Sequence, residues 1–336
     1  MLGEACALLA ALTWSVSVIL FKRSEAVTPL AMNLFKNTVA AVLLGLTLLA
    51  LLLGGWTELP LERSRGDWAR LLFSGVLGIA VSDTLIFMAL RRLGASLLAV
   101  VDCIYAPTIV VLSVVVLHEP VPAAFLAGGA LVVGGVLLTV TERTPDEPEL
   151  PASVAAPIEA EANEGDAAQG EESDPQDRRR ERALGVAFGL AGIAAMASGV
   201  VLAKPALDSG DLVEVTLVRL LAGVAALLLW VSLKPLIGLD PGGAARSEVL
   251  SVLGRRDVWR TLIPASVLGT YVAMLFWLGG FKWAPVSVAS VLNQLASVFT
   301  VVLAWLMLGE PLSGRRITGT LAAVVGAALV MATRGP

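Results

Sequence analysis

The sequence predicts an all-α integral membrane protein with ten transmembrane helices in two inverted five-helix repeats, and three observations predict it. Composition is the first: 57% of the 336 residues are hydrophobic and 15% are charged, against roughly half and a quarter in soluble domains. The second is how that excess is distributed. It collects in continuous apolar runs of about 18–24 residues, each long enough to cross ~30 Å of hydrocarbon as a helix. A membrane span must satisfy its backbone internally, so such runs are helices, and the alternating pattern of a membrane barrel is absent. The third is a repeat. Residues 82–120 return at 273–311, a shift of 191 positions without a gap. Trp68 answers Trp259, Gly78 answers Gly269, Ser96 answers Ser287, Gly128 answers Gly319 and Gly135 answers Gly326. Both segments close on Glu-Pro, at Glu119-Pro120 and Glu310-Pro311. About a quarter of positions 67–142 are identical under this shift. Aliphatic identities mean little in an apolar chain, so the Trp, Gly and Glu-Pro matches carry the weight.

Taken in order, the first repeat (1–141) holds spans at approximately 3–21, 30–53, 68–90, 95–117 and 121–141. The second (183–336) holds spans at approximately 183–203, 212–234, 258–280, 286–308 and 314–333. The run 2–21 reads as a span rather than a secretory signal. It lacks a basic start and a small-residue cleavage site, and it ends in Phe21-Lys22-Arg23. Between the repeats lies 142–182, with thirteen acids against five arginines and almost no large apolar residues. Such a segment cannot bury enough surface to offset its ordering entropy, so it reads as a disordered linker. A solvated tether and a partner-docking segment are its two readings. Its net charge is −8 while the whole chain is −4, so the rest carries +4. The acidic pI of 5.2 therefore belongs to the linker.

Five spans per half is an odd number, so homologous halves enter the membrane with opposite orientation. Inverted repeats of this kind build many secondary transporters, whose substrate site lies near the midplane between the halves. Six Lys and Arg fall on the side of the two termini and sixteen on the linker side. By the positive-inside rule this puts the linker in the cytoplasm. Cys6 and Cys103 both lie in apolar runs, and His118 is the only histidine. No disulfide framework or zinc spacing results, and neither a metal nor another cofactor is expected. No phosphate-binding loop is present. The RRRER cluster at 178–182 reads as a juxtamembrane charge cluster for topology or anionic lipid, not as a nucleic-acid contact. The Ala, Leu, Gly and Arg bias with short loops points to a bacterial inner membrane.

Leu117-His118-Glu119-Pro120 and Leu308-Gly309-Glu310-Pro311 each close the fourth helix of a five-helix unit. With Trp14, Arg219 and the small-residue spans 128–135 and 319–326, they make the chain resemble the EamA family of the drug/metabolite transporter superfamily. The resemblance covers all but the linker. It implies a secondary carrier, often an exporter, of amino acids, other small metabolites or drugs. It also implies cytoplasmic termini, opposite to the charge count, so orientation stays open. Span 4 departs from span 9 at Pro107, which Val298 replaces.

Ionisable groups inside spans cost on the order of 3 kcal/mol at mid-membrane, which makes them functional candidates. Asp83 and Asp102 lie inside spans 3 and 4, and Asp102 matches Asn293, followed by Gln294. These groups bind substrate or take up a coupling proton, or else bond a neighbouring helix. Asn33, Lys36 and Asn37 share one face of span 2, and Arg219 roughly matches Asn37. Either cation suits an anionic substrate group or a pair with Asp83 or Asp102; Lys36 is also placed to snorkel. If both cations face the cavity, an anionic-metabolite or phosphate-ester exchanger becomes the alternative. A non-transporting scaffold or membrane enzyme is the alternative from another class. Trp14, Tyr105, Tyr271 and Trp277 line a cavity or pack. Glu119 and Glu310 are placed to cap the helices that follow their prolines. Pro107 should kink span 4 in mid-helix. The Gly-rich spans 5 and 10 serve as scaffold or as a homodimer face.

Overall fold

A computed structural model describes residues 1–21, 29–58, 63–141, 175–235, 247, 256–308 and 313–333. The first half contains α1 (Leu2–Phe21), α2 (Pro29–Leu53), α3 (Arg65–Gly75), a π turn at Val76–Val81, α4 (Ser82–Asp102), α5 (Tyr105–Leu117) and α6 (Ala123–Val140). The second contains α7 (Pro175–Ser209), α8 (Leu212–Leu233), α9 (Arg256–Ser266), a π turn at Val267–Val272, α10 (Ala273–Trp283), α11 (Val286–Asn293), α12 (Leu295–Leu308) and α13 (Gly314–Ala332). No strand occurs among the described residues. Nine helical stretches among them are long and apolar enough to cross a membrane, and α1 adds a shorter apolar one over Leu2–Ser17. The protein is an all-helical, multi-pass membrane protein.

The repeat seen in the sequence recurs in the backbone at the same spacing. Each half opens one span into a π turn, and Val76–Val81 lies 191 residues before Val267–Val272. Ser82 N–H reaches back to Leu77 O, and Ala273 N–H to Leu268 O, five residues in each case. Such a turn inserts one residue and rotates the helix beyond it, and it is common at functional sites. Pro264 precedes the second π turn, while Phe73 holds the matching place before the first. Proline therefore does not explain the pair.

Spans 4 and 9 break at matched points. Cys103 and Ile104 bond back three residues, to Val100 O and Val101 O at 3.3 and 3.0 Å, and Gln294 bonds to Val291 O at 3.3 Å. This corrects the expected mid-helix kink at Pro107. The break precedes Pro107, which becomes the third residue of α5. There its missing N–H falls among the orphan donors of a first helical turn. Span 9 breaks with Val298 in the matching place, so the proline follows the bend rather than causing it.

Helical bonding continues from Ser82 to Asp102, yet the chain reverses within that stretch. A Cβ built on Gly189 would lie 3.5 Å from Ala89 Cβ and 3.0 Å from Val101 Cγ1. Twelve residues of straight helix would separate those two by about 18 Å. The corner falls beside Leu93, which touches Gly185 on α7. In the second half the same corner is open at Ala284, which is extended, and Pro285.

The halves pack with their roles exchanged. Helix α1 lies against α10 and α12, and α7 against α4 and α5; α2 meets α8, α5 meets α11 and α6 meets α13. Helices α6 and α13 touch backbone to backbone. A Cβ on Gly128 would meet Gly326 O at 2.9 Å, and one on Gly326 would meet Gly128 O at 2.6 Å. Gly128 and Gly135 cover Gly326 and Gly319 inside one chain, in keeping with the scaffold reading. Helix α7 also starts earlier than the expected span. The RRRER cluster falls in its first turns, with Arg179 to Arg182 exposed, as the good helix propensity of Arg and Glu allows. Residues 142–174, where the disordered linker was placed, lie outside the described residues.

Candidate functional site

In the first half α2 brings Asn33, Lys36 and Asn37 onto one face. Asn37 Nδ2 donates to Asn33 Oδ1 at 2.9 Å, and both residues are buried. Lys36 Nζ lies 3.9 Å from Asp83 Oδ2, so the cation meets the acid that follows the π turn. Each is shielded, with side chains 16% and 19% exposed. Lys36 thus pairs rather than snorkels.

The second half places Arg219 of α8 in the equivalent region with a different outcome. Arg219 is 2% exposed, and its Nε and Nη1 have no hydrogen-bond partner. The guanidinium lies 6.0 Å from the Trp277 ring centroid, a cation–π distance. Room for it comes from Gly78 in the first π turn, where a Cβ would sit 3.2 Å from Arg219 Nη2. Tyr105, at the start of α5, is buried beside Arg219, with its hydroxyl against Trp277. Asn293, last residue of α11, has both amide atoms buried and unpartnered. Gln294 reaches across the halves, donating Nε2 to Asp102 O at 3.2 Å.

Asp102, the last residue of α4, is exposed. Tyr271 Oη and Thr47 Oγ1 share a 2.7 Å bond that ties α2 to the second π turn. Trp14 is 43% exposed and stays apart from this group. Its neighbours on α1 point inward instead: Ser15 Oγ donates to Ala296 O at 2.8 Å and Ser17 Oγ to Ala265 O at 3.0 Å.

Near the end that holds the termini, side chains bond across the halves. Arg63 Nη1 and Nη2 grip Glu214 Oε1 and Oε2 at 2.8 and 3.0 Å, with both side chains buried. Arg63 also stacks 5.0 Å from Trp68. Glu119 corrects its expected role. It caps α11, across the halves, rather than the helix after its own proline. Its carboxylate accepts from Val286 N at 2.7 Å, Ser287 N at 3.0 Å and Ser287 Oγ at 2.7 Å. The physical reason is the sharp reversal at His118, in the left-handed region at φ 54°, which turns Glu119 away from α6. Pro120 lines a shallow recess beside it with Pro122, Pro285 and Ser287. Lys204 bonds Asp208 and the Phe281 carbonyl at 2.6 and 2.8 Å, while Lys282 holds the Leu207 and Gly210 carbonyls. On the linker side Arg92 meets Glu181 at 3.1 Å in a more exposed pair. Glu310 and Pro311 lie outside the described residues.

Sequence reasoning missed Arg63, Glu214, Lys204 and Lys282. All four stand at span ends, where charge is ordinary, and Arg63 and Glu214 are 151 residues apart.

A family model described as the EamA-like transporter family matches residues 1–141 and 183–332. The chain belongs to the EamA-like transporter family. The two matched segments leave residues 142–182 between them, of which 175–182 belong to the first turns of α7. Among solved structures, a crystal structure described only as that of a protein aligns with a TM-score of 0.69. It covers 98% of this chain and 96% of the other at 17% identity, which speaks to the shared fold. Comparison with curated proteins returns no match. As an EamA-like protein the chain is a transporter of the drug/metabolite superfamily.

Proposed function

We propose that this EamA-like protein is a secondary carrier that exports a small polar metabolite, such as an amino acid or a drug-like compound, by alternating access across a bacterial inner membrane. One observation carries the reading. Arg219 Nε and Nη1 and both amide atoms of Asn293 are buried without hydrogen-bond partners, and Tyr105 of the other half lies beside Arg219. Unpaired buried donors and acceptors cost about 1–3 kcal/mol each, so a fold keeps them where a ligand meets them. The three residues come from both halves, as expected of a midplane site in an inverted repeat. The buried Arg63–Glu214 pair and the Glu119 cap make the terminus-side end the closed gate of this conformer. Asp102, an exposed carboxylate where span 4 breaks, is the group to which this reading gives the coupling proton.

Reconstitution in liposomes tests this. Under a pH gradient, wild type should accumulate members of a pooled set of labelled amino acids and small metabolites, and Asp102→Asn should lose the gradient dependence. Uptake that ignores both gradient and mutation removes Asp102 from the mechanism. A protein that moves nothing in an extended pool is a scaffold, not a carrier.

A further inference from the structure

Helix α7 has 35 residues, about 52 Å of helix, and so outruns the ~30 Å of hydrocarbon it crosses. Its uncharged stretch runs from Ala183 to Ala203, about 31 Å. Arg179 and Arg180 precede that stretch by about 4–6 Å along the axis, which is the depth of a headgroup layer roughly 5–8 Å thick on each side.

The faces of α7 are set by its packing. A Cβ on Gly185, Gly189 or Gly192 would run into Leu93, Val101 or Ile86 of α4. The opposite face is exposed at Val186, Ala187 and Leu190. Followed back at helical spacing of three and four residues, this outward face passes Ala183 and Leu184 and ends on Arg179 and Arg180, both exposed. Glu181, in the same turn, is turned towards α4. There Arg92 Nε meets its Oε2 at 3.1 Å, while the Arg92 guanidinium lies 4.9 Å from the Phe188 ring centroid. Among the described residues, Arg179 and Arg180 take part in no ion pair.

Cations at the other end of the bundle are answered by protein. Lys204 Nζ meets Asp208 Oδ1 at 2.6 Å and the Phe281 carbonyl at 2.8 Å. Arg63 grips Glu214, and Arg70 lies 3.6 Å from Asp67. Helix polarity sharpens the contrast. Lys204 stands near the C-terminus of α7, where the macrodipole favours a cation, whereas Arg179 and Arg180 stand near its N-terminus, where the macrodipole opposes one. An anion outside the chain is what that end lacks.

We propose that Arg179 and Arg180 form a binding face for an anionic phospholipid. The two guanidinium groups hold the headgroup phosphate, and an acyl chain lies along Val186 and Leu190. Guanidinium matches phosphate with paired N–H donors, and arginine at this depth is drawn to an anionic leaflet. A lipid suits the face better than a soluble anion does, because the rows that end in arginine continue as apolar side chains within the hydrocarbon. The face is independent of what the protein carries.

Native mass spectrometry of the full chain in neutral detergent tests this, with phosphatidylglycerol and phosphatidylcholine titrated separately. Wild type should half-saturate with phosphatidylglycerol at a concentration about tenfold below that for phosphatidylcholine. Arg179→Gln combined with Arg180→Gln should erase the preference. Arg70→Gln, which removes an exposed arginine at the opposite end, should keep it. All these side chains are exposed, so thermal midpoints in neutral detergent should match wild type and separate lost lipid binding from lost fold. Equal binding of the two lipids by wild type, a preference that survives the double variant, or the same loss in Arg70→Gln overturns the face. Glycerol phosphate, which has the phosphate without the acyl chains, should fail to displace the bound lipid; displacement would assign the arginines to a soluble phosphate instead. The acid-rich stretch 143–174 is the other source of negative charge. A preference that emerges only after its acids are replaced by amides would give the arginines to that stretch and refute the lipid.

Discussion

Third spans of both repeats loosen into a π turn at matched residues, fourth spans break at matched residues, and fifth spans meet glycine to glycine. Side chains at those same positions diverge. Lys36 and Asp83 face Val218 and Met274 across the pseudo-symmetry, Asp102 faces Asn293, and the closed corner at Leu93 faces the open one at Ala284-Pro285. Duplication fixed the backbone devices because both halves need the same hinges and the same close contact. Charge diverges where the backbone does not. The first half pairs its cation with an acid, whereas Arg219 in the second lies 6.0 Å from the Trp277 ring with Nε and Nη1 unpartnered.

Substitutions that break or restore this asymmetry should differ in size. Arg219→Gln should have the largest effect on transport. Loss of a charge-assisted hydrogen bond is worth about 1.5–3 kcal/mol, or roughly ten- to a hundredfold in the concentration giving half-maximal uptake. Concentration series of labelled substrate in liposomes would show it. Next come Gly128→Val and Gly326→Val. Each drives a side chain into the partner's backbone, so each should lower stability by about 2–3 kcal/mol. Because the two residues oppose one another, chemical denaturation should find nearly equal losses, a test of the symmetric part of the comparison.

Asp83→Asn should follow. Breaking a fully buried ion pair costs about 3–5 kcal/mol; this pair is partly open and 3.9 Å long, so about 2 kcal/mol is expected. Lys36→Val with Asp83→Met rebuilds the second half's arrangement in the first and should recover most of that loss in thermal melts. Glu119→Gln is the smallest. It weakens a helix cap and its attraction to the positive end of α11, by about 1 kcal/mol. A lowered melting temperature with unchanged substrate affinity is the expected signature.

Much of this was legible in the sequence. The shift of 191 was legible, because glycine and tryptophan matches mark backbone and packing positions that duplication preserves, but the π turns and the breaks at 103 and 294 were not foreseen. Asp102, Asn293 and Arg219 stood out because polar groups in apolar runs need a reason. Lys36 and Asp83 were both singled out, but their pairing depends on the rotation added by a π turn, which no periodicity shows. Glu119 was assigned to the wrong helix for a similar reason: a left-handed residue at His118 reverses the chain, and the nearest free helix amides then belong to the other half. The Arg63–Glu214 clasp joins residues from different repeats, so no local pattern encodes it.

The account stands on Asp102 and its neighbours lining a water-accessible path between the halves. Placing a single cysteine there, Asp102→Cys with Cys6 and Cys103 replaced by alanine, tests this most directly. In sealed vesicles a membrane-impermeant thiol reagent should label it from the linker side, and a transported substrate should slow the reaction. Labelling by a lipid-soluble maleimide alone, with no reaction from water on either side, would put Asp102 against the bilayer and contradict the path.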